Sequence, residues 1–535
     1  MENSLNKNDR SNVEIELIVV SVLVLAAFIV FMTLNAEATV SGISSFFWTM
    51  ISVVGPVFLL FTFITFILAV YLGASKYGKI RLGDTKPEYS NYSYVSMMIM
   101  GSLASAALYW SFTEWAFYFE APGLGMTPHS IEAMETAIAY QFFHWGITHQ
   151  AMYTVMGVAI GYAVYIRKVP SFQVSAVCKA MMSDRIKSKD AIGKVIDFCV
   201  IFGILAGLGS TLGLAVPLAT GGLSQIFGIE ATATVQIGII VVVALVYTFT
   251  SYLGTNKGMK VLSNFTTRFC IVFLVYVLLA GPTTFIMQNI VSSLGFVIQK
   301  LPTMSLFADP IQNTGFVEGW TIYFQAFYLN YLAMMGIFVA KVSKGRTIKE
   351  VAVATILGIT AGGWFLFGVN GSFSIHTYLE GSADVVGLVN SGVGEAAIYE
   401  ILEVLPLGAT VLPVVMLLLV IGFVSTSMDA ASLALAETVT KRGVPKMVFR
   451  MFWCGMLAII PMSVILTGSG FTAIQQIAII VSVPFMIIVI GMEIGIFRWL
   501  KYDSKSGLHA RNIALQEKEA QEAFEKENRD AIMGK

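Results

Sequence analysis

Charge is scarce in this chain. Only 12% of its 535 residues are Asp, Glu, Lys or Arg, about half of the ~25% usual in a soluble protein. Lys+Arg and Asp+Glu balance at 33 each, which excludes a basic surface that recruits nucleic acid and an acidic, disordered bulk. Cysteine is scarce too. Cys178, Cys199, Cys270 and Cys454 stand far apart, with no CxxC or Cys/His spacing, so neither a disulfide framework nor a structural zinc site is indicated. No GxxxxGK(S/T) run occurs, so ATP is not indicated as the direct energy source. No convergent metal or nucleophile motif supports an intramembrane enzyme, and no cofactor is implied.

What is present is apolar. Hydrophobic residues make up 56% of the chain, and its mean hydropathy is +0.76. A compact soluble domain has too little interior for this much apolar sequence, which leaves an integral membrane protein. About 20 apolar residues cross the hydrocarbon, and twelve candidate spans follow, at roughly 15–35, 46–73, 92–119, 134–166, 195–216, 231–253, 261–288, 319–342, 351–373, 405–434, 449–468 and 474–497. The first follows polar Met1–Val13 without a small-residue cleavage site, and reads as a retained helix, not a signal peptide. Of the 33 basic residues, all but Lys300 and Arg268 fall on one side of this arrangement. The positive-inside rule then places both termini in the cytoplasm.

Several spans carry weak points. Span 3 passes through Gly101-Ser102-Leu103-Ala104-Ser105-Ala106-Ala107, and span 10 carries Phe423-Val424-Ser425-Thr426-Ser427-Met428-Asp429. An unpaired polar group in hydrocarbon is costly, so this second cluster must face protein, water or an ion. Weakened helices in corresponding halves of a chain point to a transporter's central site. A channel could line its pore the same way, but no acidic ring or carbonyl-filter motif is present. The segment 289–318, with Pro302 and Pro310, is too polar to span and is expected on the outer surface. The tail beyond Leu500 carries seven basic against seven acidic residues. It reads as a solvated cytoplasmic helix and not as a polybasic lipid sensor.

Aromatic residues gather in span 3 (Tyr109, Trp110, Trp115, Phe117, Tyr118, Phe119), span 4 (Trp145, Tyr153) and span 8 (Trp320, Tyr323, Phe324, Phe327, Tyr328, Tyr331). Ring faces hold desolvated cations, quaternary ammonium groups among them, at about 2 kcal/mol or more. Rings at a membrane interface are also the ordinary aromatic belt. Trp145 is set apart by its mid-span position beside polar neighbours. His144 and His149 are five residues apart, poor spacing for a shared metal, and read as satisfied polar residues. Glu114 and Asp429, as intramembrane carboxylates, are candidates for pairing, proton relay or gating.

These residues carry a resemblance. His144-Trp145-Gly146 with Tyr153, Tyr162 and Arg167-Lys168 resembles the span-4 signature of the betaine/choline/carnitine transporters. Leu301-Pro302-x-Met304-Ser305, Asp309-Pro310 and Gly319-Trp320-Thr321 resemble that family's surface helix and its entry to span 8. Lys341-Val342-Ser343-Lys344-Gly345-Arg346-Thr347, Lys257-Gly258 with Leu262-Ser263-Asn264, and Thr426-Ser427-x-Asp429 add three further matches.

The resemblance implies an all-α polytopic membrane protein with twelve transmembrane helices and LeuT-type inverted five-helix repeats in spans 3–7 and 8–12. The expected organisation is a cytoplasmic N-terminus (1–14), two peripheral helices and a loop (15–90), a first repeat (91–288), a surface helix and linker (289–318), a second repeat (319–497) and a charged tail (498–535). It also implies a homotrimer in the plasma membrane. A midplane box would draw on Phe117, Trp145, Gln150, Tyr153, Phe327, Tyr328 and Tyr331. The family usually has tryptophan at the positions of Gln150, Phe327 and Tyr328, so this box is more polar and is expected to favour a partly methylated amine such as dimethylglycine or sarcosine.

For Na⁺, the resemblance implies the hydroxyls of Thr426 and Ser427 with carbonyls of Phe423, Met100 and Leu103. Sodium-independent exchangers of the carnitine/γ-butyrobetaine kind carry arginine at the Thr266 position and leucine at the Ser427 position, so this chain sides with the sodium users there. Met335, which matches a methionine that the exchangers place near substrate, and Arg268 point the other way. Arg268 is expected to face away from Thr266, in an ion pair with a buried carboxylate. The expectation is Na⁺-coupled symport, with substrate/product antiport as the alternative.

Overall fold

The computed structural model describes residues 12–467 and 471–532. Residues 1–11 of the expected N-terminal segment and 533–535 of the tail lie outside them. The described chain is nearly all helix, with two isolated β-bridges.

A helix stands at each of the twelve expected spans. The peripheral pair is α1 (Ile15–Leu34) and α2 (Ala36–Ala74). The next group is α3 (Asn91–Glu120), α4 (Ile131–His144), α5 (Ile147–Tyr165), the short α6 (Val174–Met181), α7 (Lys189–Phe227), α8 (Ala233–Gly254) and α9 (Lys260–Ala280). After α10 (Thr283–Leu306) come α11 (Val317–Val342), α12 (Ile348–Leu379), α13 (Leu412–Thr438), α14 (Met447–Thr467) and α15 (Phe471–Lys505). Among the described residues, eight of these helices are long and apolar enough to cross a membrane, nine if the bent α3 counts as one. The remaining expected spans are two shorter apolar helices, α1 and α14, and the interrupted pair α4–α5.

Packing relates α3–α9 to α11–α15. α3 packs on α12 as α11 packs on α5; α3 touches α13 as α11 touches α7; α9 crosses α13 as α15 crosses α7. The contacts α7–α13 and α8–α14 map onto themselves. With α4–α5 counted as one crossing, each group crosses five times, so the second starts from the opposite side and the repeats are inverted.

Three local departures have clear causes. The expected continuous span 134–166 is two helices, because Gly146 breaks it with extended backbone. A Cβ there would lie 2.1 Å from the Phe142 carbonyl, and Trp364 Nε1 donates to that carbonyl at 2.7 Å. α9 stops at Ala280, where Gly281-Pro282 interrupts it, and α10 starts at Thr283. The tail is the third. α16 (Leu508–Ile532) is largely exposed, as expected of a solvated helix, but one face docks on the loop after α2. Asn512 accepts from the Arg81 N–H at 3.0 Å and donates to its carbonyl at 3.2 Å, and Glu519 pairs with Arg81 at 2.5 Å. The helix root is fixed by Asp503, which pairs with Arg167 at 2.8 Å and accepts from Tyr162 OH at 2.6 Å.

Candidate functional site

α3 starts at the capping Ser90, whose side chain accepts from the Ser93 N–H. It then bends by 58° between Leu103 and Ala106. Sharp bends of this kind occur at Gly/Ser pairs, and this one follows Gly101-Ser102 in a helix that stays continuous from Asn91 to Glu120. Its counterpart α11 opens with a π-helical turn, Val317–Ile322, a form that loosens the regular ladder. The two irregular helices enclose a cavity. Ser102, Leu103 and Ala106 line it from α3, Trp145 and Tyr153 from either side of the Gly146 break, and Phe327, Tyr328 and Tyr331 from α11. Its volume is about 10 Å³, room for about one water molecule, so a larger occupant needs the rings to part.

The walls are held by buried polar contacts. Gln150 is fully buried; its Oε1 accepts from Ser102 Oγ at 2.9 Å and its Nε2 donates to Tyr328 OH at 3.0 Å. Tyr328 packs against Tyr153 with ring centroids 5.7 Å apart and against Trp145 at 6.2 Å. Tyr331 packs tilted against Phe327 with centroids 5.0 Å apart, and its hydroxyl meets Thr211 on α7. Trp145 is fixed twice. Phe367 stacks on it at 4.9 Å, and Nε1 donates to Glu114 Oε2 at 2.7 Å.

Of the expected box residues, Trp145, Tyr153, Phe327, Tyr328 and Tyr331 line this cavity, with Gln150 bridging its wall. Phe117 does not. It sits between Trp110 (5.7 Å) and Trp320 (5.2 Å), on a run of rings that continues through Trp320 and Phe324 to Trp145. Met335 lies one turn beyond Tyr331, fully buried against Gly101. Sequence reasoning missed Ser102, Thr211 and Phe367. The small-residue run marked the region of Ser102, but not that its hydroxyl would orient Gln150.

The oxygen cluster lies next to the same bend. Ser427 Oγ donates toward the carbonyls of Met100 at 3.3 Å and Phe423 at 3.2 Å. Oxygens about 3.3 Å apart match neighbouring ligands around an ion held at about 2.3 Å, so this donor set fits a hard cation. Thr426 Oγ1 donates to its own helix at Gly422 O, 2.9 Å, while Leu103 stands at the bend itself. Thr266 on α9 faces this turn: a Cβ at Gly422 would stand 2.4 Å from its hydroxyl, which is buried without a partner.

The charged candidates separate. Glu114 is fully buried and accepts from Tyr118 OH as well as Trp145; Tyr118 OH also meets His144 Nδ1 at 2.7 Å, and His144 Nε2 meets Thr321 at 3.1 Å. Asp429 forms a buried ion pair with Arg450 of α14 and accepts from Ser251 of α8. Its charge therefore clamps three helices and is not free at the cavity. Arg268 is exposed where Thr266 is buried, so it does face away, but among the described residues it forms no ion pair with a carboxylate. Its guanidinium is exposed and lies over the Tyr92 ring at 5.3 Å.

Residues 16–505 match a family model described as betaine/carnitine/choline family transporter. A carnitine transporter of Acinetobacter baumannii is 34% identical over 461 residues, covering 85% of this chain and 83% of that protein. The uncharacterized transporter YeaV of Escherichia coli is 34% identical over 440 residues, covering 82% and 91%. Among solved structures, a Na⁺-coupled sialic acid symporter in a substrate-bound outward-open state matches with a TM-score of 0.46 and 12% identity, covering 82% of this chain and 86% of that one.

Proposed function

The chain belongs to the betaine/carnitine/choline transporter family, a multi-pass membrane transporter and not an enzyme, and from that premise we propose that it imports a small betaine-type or partly methylated amine zwitterion by Na⁺-coupled symport. The observation that carries the substrate reading is the Gln150 carboxamide, set among aromatic rings and clamped by Ser102 and Tyr328. Rings stabilise any desolvated ammonium. A carboxamide oxygen has two lone pairs, and Ser102 takes one. The other accepts from a substrate N–H, which a dimethylammonium has and a trimethylammonium lacks.

Sodium coupling is supported by the convergence of Ser427 Oγ with the Met100 and Phe423 carbonyls. These residues, with Thr426 and Leu103, would hold the ion, whose binding would join α13 to the bent helix that also bears Ser102. Cation-independent antiport is the second reading. It is supported by Met335 at Gly101, the position at which the family's exchangers carry a methionine near substrate. The basic loops support both termini in the cytoplasm and insertion in the plasma membrane; family resemblance supports a homotrimer.

Uptake of labelled dimethylglycine and glycine betaine into proteoliposomes tests these readings, with and without an inward Na⁺ gradient and with substrate inside or absent. Sodium-driven accumulation into empty vesicles is expected. Uptake that ignores sodium but needs internal substrate would replace symport with exchange, and transport of neither compound would overturn the substrate class.

A further inference from the structure

An apolar groove lies far from the substrate cavity, on the side of the chain that carries the basic loops. It has a volume of about 700 Å³ and runs between α6, the first turns of α7, and α15. Its walls include Met182, Ile192 and Val195 on one side and Ile487 and Ile494 on the other. Val195 is 61% exposed and Ile487 66%. Gly491 deepens it, since a Cβ at that position would meet nothing within 4 Å.

The groove has a direction. Along α15 it extends from Pro484 to Arg498, fourteen residues, or about 21 Å at 1.5 Å per residue. That exceeds the half-thickness of the hydrocarbon, about 15 Å, and reaches the headgroup layer. Trp499 and Tyr502 sit at the same level, with Arg167 over both rings, as interfacial aromatic residues do. Among the described residues no acidic side chain lines the groove. Arg498 is exposed at its mouth, and Arg185 and Lys187 stand in the adjoining loop. Among the described residues none of the three forms an ion pair, whereas the neighbouring Lys189 is paired with Asp184 at 2.9 Å.

We propose that this groove is a binding site for one anionic phospholipid of the leaflet on the basic side, with an acyl chain along Gly491 and the phosphate at Arg498. An apolar slot one leaflet deep, capped by unpaired cations, matches that amphiphile in length, polarity and charge. A guanidinium suits a phosphate through paired N–H donors.

Native mass spectrometry of the full-length protein, equilibrated with dioleoylphosphatidylglycerol or dioleoylphosphatidylcholine, tests the site. The expected result is one retained phosphatidylglycerol per chain, favoured at least tenfold over phosphatidylcholine. Arg498→Gln, an exposed substitution, should cut that preference at least fivefold with no change in melting temperature. Gly491→Phe should remove the retained lipid of either kind. Equal retention of the two lipids by the unaltered protein, or undiminished phosphatidylglycerol on Gly491→Phe, overturns the proposal. So does an inter-chain disulfide formed by Ile494→Cys in phosphatidylglycerol vesicles, which would place a second copy on the groove. If Gly491→Phe does not fold, the Arg498→Gln result decides.

Discussion

Replacing Gln150 by leucine probes the polar link that holds the cavity wall at Ser102 and Tyr328. The two side chains are close in size, so the substitution removes the carboxamide without filling the space between Ser102 and Tyr328. On the reading proposed above, the lost group is the acceptor for a substrate N–H. A hydrogen bond from a charged donor contributes about 1.5–3 kcal/mol, and each 1.36 kcal/mol is tenfold. The preference for dimethylglycine over glycine betaine should therefore fall about 10- to 150-fold. The variant is also less stable, because the buried hydroxyls of Ser102 and Tyr328 lose a partner at about 1–3 kcal/mol each. Taking a ratio of two substrates on the same variant cancels that loss. The assay is competition by each compound against one labelled substrate in proteoliposomes. A ratio that moves by less than about threefold, well below the 1.5 kcal/mol floor, refutes the role given to Gln150.

Three further outcomes follow from the geometry. Ser427 bridges two helices while the Thr426 hydroxyl is turned onto its own helix, so Ser427→Ala should raise the half-saturating Na⁺ concentration more than Thr426→Ala does; equal effects in Na⁺-titrated uptake would contradict this placement. Glu114→Ala strands the buried Trp145 N–H at about 1–3 kcal/mol, and should weaken substrate binding about 5- to 150-fold, whereas Glu114→Gln keeps an acceptor and should be milder; a Gln variant as weak as the Ala variant would assign Glu114 its charge and not its grip on Trp145. At the tail, burial holds the His509 imidazole below its ordinary value of 6.5, with Asp503 opposing and Lys76 and Arg167 adding to the shift. Docking then favours the neutral ring, so the stabilisation is present above the unfolded pKa and is lost as pH falls below it. The protection factors of α16, with the intrinsic pH dependence of exchange divided out, should fall as the pH drops from about 7.5 to 5.5, and His509→Gln should flatten that dependence; an unchanged profile would contradict it.

The helices were largely readable because hydropathy alone places them, and charge orders the loops. What the sequence hid was tertiary. Gly146 looks like one of many glycines in apolar sequence, and only the approach of Trp364 to the Phe142 carbonyl explains its break. Phe117 belongs by position to an aromatic box, yet Trp110 and Trp320 hold it outside the cavity; ring type cannot separate a wall from its approach. Arg268 was given the right direction by helix geometry and the wrong partner, because an exposed arginine finds a ring as readily as a carboxylate. The tail reads as solvated because its charges balance, and most of its described residues are exposed. Its docking depends on Asn512 and Gln516 reaching the Arg81 and Lys79 backbone, contacts that composition does not register.

The bend in α3 gives these observations a common origin. Met100 lies just before it with its carbonyl on Ser427 of α13, and Ser102, two residues on, has its hydroxyl on Gln150 of α5. Successive residues on an intact helix are rotated by about 100°, and their carbonyls point along the axis to partners four residues ahead. A carbonyl oxygen has two lone pairs, so Met100 O accepts from Ser427 alongside its own helix while the Ser102 side chain serves the cavity wall, and one turn next to the bend touches both the oxygen cluster and the aromatic wall. Anything that straightens or deepens the bend must act on both. That shared turn gives an ion and a substrate a physical means of sensing each other, which coupled transport requires and which two separately built sites would lack.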